Sequence, residues 1–300
     1  MKVEAASTRR SLLGEGPHWD ERSSTLLFVD CLGREVVRYD PAYGMETQII
    51  STEGDIGNVI PFAEDSSQLA LCMEHGLYRL DLDTLQKDLL VEMLDHQSPV
   101  KSRLNDGKCD ALGRLWTGSM PSTGMQNLVP ETNNFWCYSK GQLKHKLGMV
   151  TISNGITWTN DDRVMFYVDS PPRQVYAFDF DIADGEIHNR RVLVDFNKTP
   201  GYQDLGQPDG MTIDVNDKIW MACFEGSAVI QIDPETAKIL TKISFPAKYT
   251  TSCCFGGENY DILYVTTASF RPNANRAEDG RLYRVTDLGA KGKAAYEFAG

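Results

Sequence analysis

Short apolar runs recur along the chain in pairs, each pair divided by a polar turn. LLFVD (26–30) is followed by VVRYD (36–40), LALCM (69–73) by LYRLD (77–81), and LWTGS (115–119) by FWCYS (135–139). MFYVD (165–169) precedes VYAFD (175–179), IWMAC (219–223) precedes VIQID (229–233), and LYVTT (263–267) precedes LYRVT (282–286). Five-residue runs rich in β-branched and aromatic side chains read as buried strands. Six copies recur at intervals of 43 to 54 residues. A period of that length marks an array whose units are each too small to bury a face alone.

Every unit also carries a leading strand before a turn rich in Asp, Asn and Gly. These begin at Gly14, Gly57, Asn105, Ser153, Pro208 and Thr251. Outer segments follow the second run, as in METQII (45–50), KDLLVEM (87–93), RRVLVDF (190–196) and KILTKISF (238–245). Four strands in each of six units predict an all-β fold, a six-bladed β-propeller with four-stranded antiparallel blades, and the polar positions its inner strands share add a metal site in the central channel. One domain spans 1–300 in this reading, and the N-terminal Lys2–Ser7 pairs into the last blade, removing a free edge. A pair of β-sandwiches is the alternative, but it does not predict this period.

The leading strands share a polar position. Glu15, Asn105, Asn154 and Asp209 lie 10 or 11 residues before the second strand of their units, each with a glycine directly after it or one residue later. Innermost strands line a propeller's channel, so the four oxygen donors converge at one end of it. Two carboxylates and two amides, with no thiolate or imidazole, suit a hard divalent cation. The alternative is that such residues only satisfy backbone donors where strands start.

Composition narrows the class. The chain has 300 residues, is 41% hydrophobic and carries a net charge of −12, which fits a globular protein with a sizeable core and disfavours nucleic acid or an anionic membrane as partner. No signal-peptide stretch and no run of 18 apolar residues occurs. The seven cysteines form no C-x-x-C pair and mostly sit in apolar runs, which points to a reducing compartment, the cytoplasm, and leaves the Asn197 sequon without meaning. There is no G-x-S-x-G elbow, Walker motif or dinucleotide fingerprint, and His18, His75, His96, His145 and His188 lack zinc-site spacing. His18 reads as a partly buried histidine, and Asp106 with Lys108 as an exposed pair.

GEGPHW (14–19), RLNDGKCDALGRLWTGSM (103–120), SNGITWTND (153–161), PDGMTID (208–214) and TTSCCFGG (250–257) resemble the senescence-marker-protein/gluconolactonase/luciferin-regenerating-enzyme family. The resemblance runs from about Leu13 to the closing LGAKGKAAYEFAG (288–300). It implies a six-bladed propeller with one divalent cation, Ca²⁺ foremost, with Zn²⁺, Mg²⁺ and Mn²⁺ as alternatives. It further implies Glu15, Asn154 and Asp209 as metal ligands, Arg103 and Asn105 as substrate contacts, and Asp209 as general base. The chain departs from the family after GSM, where Pro121, Ser122 and Thr123 stand and no carboxylate does. Thr123 then becomes the substrate-binding candidate in that stretch, with weaker selection among hydroxylated substrates.

The expected function is metal-dependent hydrolysis of a sugar-acid lactone, the cation polarising the carbonyl and Arg103 and Asn105 placing the substrate. The partner is thus a small lactone or ester. Other enzymatic readings are an esterase or organophosphate hydrolase, or a luciferin-regenerating enzyme. A non-catalytic calcium-binding regulatory protein is the alternative of another class, and a protein-binding scaffold propeller ranks behind it.

Overall fold

A computed structural model describes residues 1–95, 101–126, 128–271 and 277–300. Among them the regular structure is entirely β, in six four-stranded antiparallel sheets. Blade 1 comprises Gly14–Asp20, Thr25–Asp30, Glu35–Asp40 and Met45–Ser51, from the axis outward. Blade 2 comprises Ile56–Pro61, Gln68–Met73, Gly76–Asp81 and Lys87–Glu92. Blade 3 comprises Ser102–Cys109, Leu115–Pro121, Asn133–Ser139 and Gln142–Val150. Blade 4 comprises Ser153–Trp158, Val164–Asp169, Gln174–Asp181 and Glu186–Asp195. Blade 5 comprises Gln207–Ile213, Ile219–Phe224, Ala228–Asp233 and Lys238–Ser244. Blade 6 takes Thr250–Gly256, Ile262–Thr267 and Tyr283–Thr286 from the end of the chain and Lys2–Ala5 from its start.

The last pairing closes the ring: Lys2 lies opposite Thr286 and Ala5 opposite Tyr283, as the sequence leads one to expect. Innermost strands of successive blades pack on one another all the way round, blade 6 returning onto blade 1. Their residues are almost wholly buried, whereas outer strands such as Met45–Ser51 alternate with solvent. That gradient explains why the outer strand Gln142–Val150 (QLKHKLGMV) carries no apolar run of its own.

The large hydrophobic clusters lie between blades rather than within them. Leu27, Val29 and Val36 of blade 1 pack on Ile56, Leu69 and Leu71 of blade 2. Trp116 and Phe135 of blade 3 meet Trp158, Tyr167 and Phe180 of blade 4, and Trp19 and Phe28 of blade 1 meet Tyr264 of blade 6. Each sheet therefore finds its core only in its neighbour.

The final ten residues cross the channel end opposite the starts of the innermost strands. The Val215 N–H donates to Lys291, Gly292 to Tyr260, Phe298 to Pro61, Ala299 to Gly113, and Lys140 to Gly300. This strap joins blades 2, 3, 5 and 6, and its fully buried Phe298 fills the seam between blades 2 and 3, against Phe62 and Tyr138. Phe298→Ala should lower unfolding stability by about 3–5 kcal/mol, read as a fall in Tm and in the urea midpoint. A loss below about 1 kcal/mol, the level of an ordinary surface change, would show that the strap does not hold the seam.

Candidate functional site

The pairing register defines the ring without reference to sequence spacing. Gly14 faces Asp30, Ile56 faces Met73, Leu104 faces Ser119, Ser153 faces Asp169, Pro208 faces Cys223 and Thr250 faces Thr267. One residue further along each innermost strand stand Glu15, Gly57, Asn105, Asn154, Asp209 and Thr251. At or just after that point all six strands shift register by a β-bulge, the device that re-aims a side chain out of the regular pleat. The four polar positions foreseen from sequence are thus structurally equivalent, and Gly57 and Thr251 complete the set.

The glycines beside the ring have a steric reason. A Cβ on Gly155 would stand 2.5 Å from the Asp209 carbonyl oxygen, and one on Gly57 would stand 2.3 Å from that of Asn105. Adjacent blades approach so closely here that no side chain fits.

Two buried aspartates fix the segments leading into the ring. Asp30 accepts the N–H groups of Leu12 and Leu13, each at 2.9 Å, just before Glu15. Asp169 accepts those of Thr151 and Ile152, at 3.0 and 2.9 Å, just before Asn154. Asn154 is oriented further by its Nδ2, which donates to Ser170 Oγ at 2.9 Å, while Ser170 donates to the Pro208 carbonyl at 2.7 Å. Ser170 carries no signal in the sequence beyond its place at the end of MFYVD.

Glu15, Asn105, Asn154, Asp209, Arg103 and Thr123 all line one cavity of about 400 Å³. Glu15 Oε2 and Asp209 Oδ1 are buried and have no hydrogen-bond partner. Burial pushes the Glu15 carboxyl up to about 8, aided by the Asp106 charge and opposed by the Gly16 N–H and Arg103. Asp209 rises well above the carboxylate range through burial, then through Glu15 and Asp106. Two desolvated carboxyls that face one another cannot both stay ionised unless a positive charge joins them.

Arg103 and Asn105 are engaged with the framework and with each other. Arg103 Nη1 donates to the Leu104 carbonyl at 2.9 Å and to Asn105 Oδ1 at 3.0 Å, and its Nε lies 3.7 Å from Asp55. Asn105 Nδ2 donates to the Ser153 carbonyl at 2.8 Å and approaches Asn154 Oδ1 at 3.5 Å. Thr123 is on the exposed rim, and its hydroxyl donates to the Gln126 carbonyl at 2.7 Å.

Asp106 and Lys108 are not an exposed surface pair. They line an enclosed space of about 60 Å³ further down the channel, together with His18 and the strap residues Lys293 and Tyr296. The reason is the innermost position of Ser102–Cys109, which puts Asp106 and Lys108 in the channel lining. Lys108 donates to the Met211 carbonyl at 2.6 Å, and burial lowers its pKa. His18 is buried as expected, with Nε2 unpartnered and its pKa lowered by desolvation to about 4. His96 and Asn127 lie outside the described residues.

Among the described residues no three His, Cys, Asp or Glu side chains group to hold a metal. The cluster here has two carboxylates completed by an amide oxygen, and its orphaned oxygens suit a hard cation. Glu15, Asn154 and Asp209 would supply that donor set.

The sequence profile described as the SMP-30/Gluconolactonase/LRE-like region matches residues 13–269. Regucalcin of Xenopus laevis is 37% identical over 307 residues, covering 100% of this chain and 99% of its own. Regucalcin of Homo sapiens is 32% identical over 306 residues with the same coverage. Among solved structures, a luciferin-regenerating enzyme superposes with a TM-score of 0.92 at 32% identity, covering 99% of both chains.

A divalent cation should raise the melting temperature, because it compensates the charge on Glu15 and Asp209 that burial otherwise disfavours. The stabilisation should follow RT ln(1 + [L]/Kd), about 2.7 kcal/mol at a hundredfold excess over Kd. Glu15→Gln should stabilise the metal-free protein and blunt the shift. The absence of any shift with Ca²⁺, Mg²⁺, Mn²⁺ and Zn²⁺ would remove the cation from this site.

Proposed function

Because the chain belongs to the SMP-30/gluconolactonase/LRE-like family, we propose that it is a divalent-metal-dependent hydrolase of cyclic esters, acting on sugar-acid lactones. The observation that carries this reading is the pair of buried, unpartnered carboxylate oxygens of Glu15 and Asp209 in a cavity sized for one small molecule. Glu15, Asn154 and Asp209 would hold the cation. When bound, it supplies Lewis acidity to a carbonyl oxygen.

The chain's own residues supply the remainder. Asp209, with an unpartnered Oδ1 on the cavity wall, would act as general base toward the attacking water. A buried carboxylate facing water in a walled cavity needs little reorganisation to take its proton. Arg103, braced by Asp55 and Asn105, offers the remaining donors of its fork to lactone hydroxyls or the ring oxygen. Asn105 keeps that fork and the Ser153 backbone in place. Thr123, its proton already donated to Gln126, meets substrate hydroxyls only as an acceptor.

The seven cysteines are buried free thiols, six of them pushed up by burial to about 12 or beyond and the seventh also raised, which supports a reducing compartment such as the cytoplasm. Among the described residues no helix is long and apolar enough to cross a membrane.

The test is turnover of D-glucono-lactone by metal-stripped protein with each divalent ion restored in turn. Asp209→Asn should lower kcat by about 10²–10⁴-fold at saturating cation, with binding followed separately by the thermal shift. Near wild-type turnover in Asp209→Asn would assign the base elsewhere. Thr123→Glu should lower KM for gluconolactone more than for an unsubstituted aliphatic lactone, because a carboxylate accepts charge-assisted bonds from hydroxyls. Equal effects on both would show that this rim does not read hydroxyls.

A further inference from the structure

One wall of the cavity is built differently from the rest. Leu13, Leu32, Met120, Ile152, Phe224 and Phe270 give it a largely apolar lining, and Arg271 stands among them. The Phe224 and Phe270 rings are stacked with centroids 6.4 Å apart and planes 25° from parallel. The Arg271 guanidinium carbon lies 4.9 Å from the Phe270 centroid and 5.7 Å from that of Phe224. Its Nε is buried and has no hydrogen-bond partner, and no acid among the described residues pairs with it.

The backbone that carries this group is fixed. Ser269 and Phe270 both donate to the Leu12 carbonyl, at 2.9 and 3.0 Å, and Ala268 donates to Tyr249 at 2.9 Å. Ser269 Oγ donates to the Ser11 carbonyl at 2.7 Å. Phe224 faces Gln207 in the register, two residues before Asp209 on the same innermost strand. The arginine is therefore placed on the catalytic side of the cavity by two blades.

The two arginines on the wall differ in what they have left to offer. Arg103 has Asp55 at 3.7 Å and gives Nη1 to Leu104 and Asn105. Arg271 has ring faces beneath it, and stacking holds a guanidinium while leaving its in-plane donors free. A planar fork of free donors matches a carboxylate. The ring side of the cavity already carries two acids, so a second anion on the ligand is favourable only beside an uncompensated cation.

Resting on the cyclic-ester reading, we propose that Arg271 forms an anion subsite, and that the preferred substrate is a lactone carrying a second, ionised carboxylate away from the reacting ring. The ester carbonyl lies toward Glu15 and Asp209, the free carboxylate on the Arg271 fork, and the intervening carbons against Phe224 and Phe270.

D-glucaro-1,4-lactone and D-glucono-1,4-lactone form a matched pair, differing only in a carboxylate or a hydroxymethyl group at the far carbon. Their kcat/KM ratio, measured on the full chain with cation present, should favour the glucarolactone. Arg271→Gln should reduce that ratio by about 10- to 100-fold, the scale of one lost charge-assisted hydrogen bond. Arg271→Lys, which keeps the charge without the fork, should fall between. A ratio unchanged in both variants overturns the subsite. If wild type turns over neither lactone, the cyclic-ester reading fails, and calorimetry with benzoate and benzamide decides the subsite alone. Tighter binding of benzoate that disappears in Arg271→Gln supports it, and equal binding of the two by wild type overturns it.

Discussion

No blade of this protein can bury its own faces. The clusters at Leu27–Leu71, Trp116–Phe180 and Trp19–Tyr264 each draw side chains from two neighbouring sheets. A linear array would leave two faces wet, so burial drives the sheets round until the first meets the last. The pairing of Lys2–Ala5 with Tyr283–Thr286 completes that contact with main-chain hydrogen bonds, and the strap from Lys291 to Gly300 ties blades across the ring. Closure sets the geometry at the axis: six strand starts held at one radius, with side chains projecting into one confined volume.

Confinement then decides which residues the axis tolerates. Where inner strands touch, only glycine fits, as at Gly57 and Gly155. Where a bulge turns a side chain inward it loses water; the amides Asn105 and Asn154 find internal partners, whereas for a carboxylate the loss is costly. Asp30 and Asp169, at the ends of the adjoining second strands, are buried too, yet each accepts backbone N–H groups and is satisfied. Glu15 and Asp209 differ from them by an unpartnered oxygen each. The contrast between satisfied and orphaned acids separates residues that hold the fold from residues with an oxygen left over for a ligand.

Much of this was legible along the chain. The paired runs from LLFVD to LYRVT coincide with strands in all six blades, because core strands must be continuously apolar. The ring position was legible because the same register places Glu15, Asn105, Asn154 and Asp209 beside glycine. The outer strand Gln142–Val150 was not, since a strand half in solvent needs no apolar run. Asp106 and Lys108 read as exposed because charge alone does not reveal that their strand is innermost. Likewise, the mutual bonding of Arg103 and Asn105 depends on a bulge between Leu104 and Gly107 that spacing cannot show. Phe224, Phe270 and Arg271 escaped notice for another reason. They lie at the ends of second strands and in a connection, outside the repeated positions, and only the cavity brings them together.

Charge along the channel follows a consistent logic. At the strap end, Asp106 and Lys108 offset one another, and Lys108 is further held by the Met211 carbonyl. At mid-wall, Asp55 lies beside Arg103, which fixes a guanidinium where a substrate would meet it. Toward the mouth, Glu15 and Asp209 each keep an unpartnered oxygen and Arg271 an unpartnered Nε. Arg114, by contrast, is matched within the framework, bonding Asp110 at 2.7 Å. The proposed cation would sit with the two acids and the proposed anion with the guanidinium, so the two proposals draw on complementary parts of one cavity.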